Sequence, residues 1–86
     1  MTQRERIKVE LAVTVLRQTM AKDADLRSEA VRLALRVIWP HCRERWPLVS
    51  YWEAGGNDHE IGRRQSMTAA FNGIVHQLRQ AGAYRG

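Results

Sequence analysis

Apolar residues return every three or four positions in three stretches of the chain, the spacing of helices rather than of strands. Before the first stretch stands Thr2, followed three residues later by Glu5, the form of a capping box. A helix is predicted from about residue 3 to 21. Its apolar positions, Ile7, Val9, Leu11, Ala12, Val13, Val15, Leu16 and Met20, spread over roughly 200° of the wheel, well beyond the ~100° stripe of a surface helix. Only Glu10, Thr14, Arg17 and Gln18 make a clean wet face.

Asp23 and Asp25 offer acceptors for a second N-cap, and a second helix is predicted from about Leu26 to Trp39. Leu26, Ala30, Val31, Leu33, Ala34, Leu35, Val37 and Ile38 again cover about 200°, with Ser28, Glu29, Arg32 and Arg36 on the wet side. Two helices this apolar need more cover than one short helix supplies. The surplus implies a homodimer interface, unless the Trp-rich segment that follows covers it within one chain.

Pro40 lacks an amide hydrogen and biases Trp39 toward extended geometry, so the second helix ends or kinks there. A short helical turn through Arg45 is expected next, stopped by the second Trp-Pro pair, Trp46-Pro47. Leu48 to Trp52 reads as a short extended piece, and Gly55-Gly56-Asn57 as a turn. The last element has the clearest pattern. Ser66 is the expected N-cap, and Met67, Ala70, Phe71, Ile74, Val75, Leu78 and Ala81 form one helical stripe before Gly82 stops it. Ala69, Asn72, Gly73, His76, Arg79 and Gln80 lie opposite. That face is polar, small at two positions and free of acids.

The pattern therefore predicts an all-α fold, a small bundle of three to four helices with an irregular Trp- and Gly-rich connection. At 86 residues it reads as a single domain, residues 1–86. Cys42 is the sole cysteine, which excludes an internal disulfide and fits a cytoplasmic location. The charged residues within positions 1 to 20 leave no apolar run for a signal peptide or a membrane span, so no membrane partner is expected.

Charge sharpens the picture. The formal net charge is +5, from twelve Arg and two Lys against nine acidic groups, and an anionic partner fits that balance. Arg63, Arg64, Arg79 and Arg85 stand in residues 61–86 with no Asp or Glu beside them, so most of the excess lies in the last quarter of the chain.

Catalytic and metal chemistry find little footing. Cys42, His41, His59 and His76 lack paired ligand spacing, and nothing supplies a base and an orienting group for a thiol nucleophile. Cys42 reads as a surface or half-buried free thiol. The Gly55-Gly56-Asn57-Asp58 turn lacks the Gly-Lys-Ser/Thr ending of a phosphate loop. Trp39, Trp46 and Trp52 fit either core anchors or a binding hot spot. No enzyme activity, cofactor, metal or small-molecule substrate is expected.

From Asp58 onward the order of features resembles a helix-turn-helix, including those of winged-helix DNA-binding domains. Glu60-Ile61-Gly62 corresponds to the end of the supporting helix, Arg63-Arg64-Gln65 to the turn, and Ala69 to Gln80 to the recognition helix. The likeness covers about a third of the chain. The turn lacks the usual glycine, and Gln65 stands where a buried apolar residue is usual. The resemblance implies that Thr68, Ala69 and Asn72 read base edges, with His76 and Arg79 further along the same face, while Arg63 and Arg64, with Arg85 as a further candidate, hold phosphates. The expected function is thus a small DNA-binding regulator or accessory factor. The alternative is an adaptor or small inhibitor that binds an acidic protein surface.

Overall fold

The computed structural model describes residues 1–20, 28–42 and 60–86, with side chains in the last stretch from residue 68 onward. These residues form three helices and one 3-10 turn: α1 (Gln3–Gln18), α2 (Glu29–Ile38), the turn Trp39–His41, and α3 (Glu60–Gln80). No strand occurs among the described residues. The fold is a small all-α bundle, as the periodicity predicts. The extended piece at 48–52, the turn at 54–58 and the helical turn beyond Cys42, with Trp46 and Trp52, lie outside the described residues.

Local chemistry sets the helix ends. Thr2 caps α1 by accepting from the Glu5 amide at 3.2 Å, and its hydroxyl donates in turn to Glu5 Oε1 at 3.3 Å. This is half of a capping box, because the carboxylate meets the hydroxyl rather than the Thr2 amide. At the other end the Thr19 hydroxyl donates to the Leu16 carbonyl at 2.6 Å and closes the helix at Gln18, short of residue 21.

For α2 the cap is Ser28, whose Oγ accepts from the Val31 amide at 3.2 Å. The sequence offers Asp23 and Asp25 for that cap and sets Ser28 on the wet side; Asp23 and Asp25 lie outside the described residues. Both residue types cap well, and the residue next to the first turn of α2 takes the role. Pro40 then sits within the 3-10 turn, where its missing amide costs nothing, and Cys42 donates back to Trp39 O.

The largest departure concerns α3. It begins at Glu60 and runs without interruption through Arg63, Arg64, Gln65 and Ser66 to Gln80. The turn expected at 63–65 and the cap expected at Ser66 are therefore absent from the backbone. The physical reason is in the residues: Arg, Gln and Met favour helices, and no proline or glycine stands between Gly62 and Gly73.

One core joins all three helices. Val9, Ala12, Val13 and Leu16 of α1 meet Val31, Ala34 and Ile38 of α2 and Ala70, Phe71, Ile74, Val75 and Leu78 of α3. Helix α1 packs against both of the others. From Ala70 to Leu78 the α3 stripe falls where the periodicity places it, while the Met67 side chain lies outside the described residues and Ala81 is exposed instead. Gly82 turns the chain there with φ +72, while its amide donates to Arg79 O and the Ala83 amide donates to Leu78 O. That pair of bonds is a Schellman motif, and it carries Ala83 and Tyr84 back into the core in place of Ala81.

The wide apolar faces of α1 and α2 are only partly used. Ile7 and Leu11 are 50% and 62% exposed, and Leu33 is 52% exposed. Ile7 and Leu11 are one turn apart on the side of α1 away from Val9, Val13 and Leu16.

Candidate nucleic-acid interface

The buried stripe of α3 fixes what its other side presents. With Ala70, Phe71, Ile74 and Leu78 turned inward, Thr68, Ala69, Asn72, His76, Arg79 and Gln80 are all exposed along the opposite side. Four of the six expected contact residues, Thr68, Asn72, His76 and Arg79, thus share one face. Arg63 and Arg64 belong to the helical backbone of α3, and their side chains lie outside the described residues.

The four differ in freedom. Neither Asn72 nor His76 makes a side-chain hydrogen bond among the described residues, so both polar ends are available to a ligand. Thr68 makes one weak contact, its hydroxyl 3.9 Å from the Met20 sulfur. Arg79 is engaged. Its guanidinium lies 5.7 Å from the centre of the Tyr84 ring and donates from Nη2 to the Gly86 carbonyl.

The tail supplies the feature that sequence reasoning missed. Tyr84 is buried, holds Arg79 against its ring, and accepts a hydrogen bond on its hydroxyl from Arg17 Nη2 at 3.4 Å. Arg17 also lies over the Phe71 ring, 5.5 Å from its centre. Two arginines read as wet-face cations are thus tied to aromatic rings by position. The only signal in the sequence is an aromatic residue shortly after the glycine that ends α3.

Gly73 sits on this side as well, and a methyl group in its place would meet nothing within 4 Å. The space above Gly73 is therefore open on the polar side of α3. No Asp or Glu follows Glu60 in the sequence, so no acidic side chain on α3 after its first residue repels a polyanion.

Cys42 corrects an expectation. It is fully buried rather than half-exposed, donates to the Ile74 carbonyl at 3.8 Å, and burial pushes its thiol up to about 11. A thiol so held stays protonated at neutral pH and makes a poor nucleophile. Among the described residues no three His, Cys, Asp or Glu side chains gather as metal ligands would. None of their helices is long and apolar enough to cross a membrane.

No family model, curated protein or solved structure matches the chain.

Proposed function

We propose that the chain is a small DNA-binding regulator or accessory factor that uses the outer face of α3. The observation that carries this reading is the exposed row Thr68, Asn72 and His76 on a helix that carries no acid beyond Glu60. A helix of 21 residues is roughly 31 Å long, enough to lie along a major groove with its middle turns against base edges. Asn72 then pairs with adenine through its amide, and Thr68 and Ala69 touch a thymine methyl. His76 reaches the next turn of the groove. Arg63 and Arg64 supply phosphate contacts, and Arg79, braced by Tyr84, supplies another at the far end.

Because α3 is continuous, contact is made by the middle of one long helix and not by the first turn of a recognition helix. A homodimer through Leu11 and Leu33 doubles the phosphate contacts.

Titration of labelled duplex at two salt concentrations tests the reading. Binding is expected to fall steeply with salt, and losing Arg79 is expected to lower the salt slope by about one. Asn72→Ala is expected to cost about 1 to 3 kcal/mol on a preferred site and little elsewhere. Asn72 is exposed and its variant should melt as the wild type. Losing Arg79 also removes its contacts with the Tyr84 ring and the Gly86 carbonyl and should lower melting, so its salt slope is read well below the transition. Absence of wild-type binding at ~50 mM salt and micromolar protein overturns the proposal, since even non-specific binding shows under those conditions.

A further inference from the structure

A second surface lies where the start of α1 meets the tail. Gln3, Arg6, Ile7 and Glu10 line one side of a groove of about 360 Å³, and Ala83 and Arg85 line the other. The first four stand one turn apart along α1, and the Schellman turn at Gly82 brings the last two against them. Ligand pockets span roughly 300–1,000 Å³, so this groove has room for a few side chains rather than a large molecule.

Its electrostatics are unbalanced. Neither the Arg6 nor the Arg85 side chain forms an ion pair or a hydrogen bond among the described residues, although Glu10 shares the groove. Arg6 Nε is shielded from solvent and has no partner there. A shielded donor left unpaired is costly, and a carboxylate that reached it would satisfy it with a charge-assisted bond. The nearby start of α1 adds favourable potential for an anion.

We infer that this groove binds an acidic segment of a partner protein, one that places a carboxylate between Arg6 and Arg85 and an aliphatic side chain on Ile7. Ile7 is half exposed within the groove and gains by apolar cover. A nucleic-acid backbone would waste that apolar surface and would meet the Glu10 carboxylate. A peptide uses both, because Glu10 and the Gln3 amide can accept from its backbone N–H groups. The inference is independent of the α3 face, since the groove contains no residue of that helix.

The test is titration of a fluorescein-labelled synthetic peptide of repeating Glu-Glu-Leu-Leu onto the full chain. Controls are the same peptide with Gln for Glu, polyglutamate, and a short random duplex. The acidic apolar peptide is expected to bind best. Arg6→Gln and Arg85→Gln should each weaken it roughly tenfold without lowering the melting temperature. Arg6→Lys, which keeps the charge, should recover part of the loss. In an amide-shift NMR titration the changes should gather at residues 3–10 and 83–85. Equal binding of the Gln peptide, or unchanged binding by the Gln variants, overturns the inference. So does a duplex whose binding depends on Arg6 and Arg85, or self-association that these variants abolish, which would make a second copy the occupant. Asn72→Ala should leave peptide binding intact, so failure of one surface is distinguishable from failure of the other.

Discussion

The guanidinium of Arg17 donates from Nη2 to the Tyr84 hydroxyl at 3.4 Å, joining α1 to a tail 67 positions away in sequence. The bond is long, so its own contribution is small. Most of what Tyr84 adds comes from burying its ring, against which Arg79 lies. Tyr84→Phe should therefore cost about 0.5 kcal/mol and Tyr84→Ala about 3 kcal/mol. Urea denaturation of the two variants checks the ranking. Equal losses would move the weight from the ring to the hydroxyl.

Two glycines of the same region should respond to alanine with opposite signs. Gly82 has φ +72, a left-handed conformation that a side chain adopts at a cost of about 1 to 2 kcal/mol, so Gly82→Ala should destabilise. Gly73 lies within α3, and a Cβ there meets nothing within 4 Å. Gly73→Ala should stabilise by about 0.4 to 1 kcal/mol, because alanine loses less backbone freedom on folding. Thermal melts of the pair settle both signs. The Gly73 variant also tests the proposed interface, since a methyl on a groove-facing helix that weakens DNA binding while raising stability separates the two roles.

Cys42 gives the chain a stability limit at high pH. Burial raises its thiol from the ordinary 9.0 to about 11, so between those values the folded chain keeps a proton that the unfolded chain has lost. The unfolded state then binds fewer protons, and stability falls as pH rises. The contribution is complete below about 9 and is lost on passing about 11. Denaturation at a series of pH values should show this decline, and Cys42→Ala should reduce it while introducing a cavity cost at all pH values. Native thiol labelling should be slow at pH 7 and limited by opening of the fold. Rapid labelling of the folded chain would contradict the burial.

Much of the bundle was legible because local rules and tertiary burial agree in it. The stripe from Ala70 to Leu78 repeats at three and four, and the exposed positions of Thr68, Asn72 and His76 follow from it by geometry alone. Gly82 ends α3 as expected because a left-handed residue is needed there. The expected turn at Arg63-Arg64-Gln65 failed for a reason visible in the same residues. It rested on the order of features, while the local propensities of Arg and Gln favour continuing the helix. Other features depend on contacts that no window contains. Arg79 is held by a tyrosine beyond the helix end, and Arg6 and Arg85, far apart in sequence, line one groove.

The last prediction concerns the apolar surplus. Leu11 and Leu33 remain 62% and 52% exposed, and in a two-fold dimer four such side chains are covered. Completing the burial of a half-exposed leucine contributes on the order of 1 kcal/mol, so the four together supply about 4 to 5 kcal/mol. A dissociation constant of 1 mM corresponds to about 4.1 kcal/mol and 1 μM to about 8.2, and association also costs rotational and translational freedom. These leucines therefore support a weak, concentration-dependent dimer, well short of a permanent one, unless further surface joins them. Sedimentation velocity across a series from ~1 μM to ~500 μM should show the average mass rising from 9.9 kDa toward twice that value. Leu11→Ser combined with Leu33→Ser should hold it at the monomer, with little change in melting because neither side chain is in the core. A particle of 9.9 kDa throughout the wild-type series rules out the dimer, and DNA contact through α3 would then be made by one copy alone.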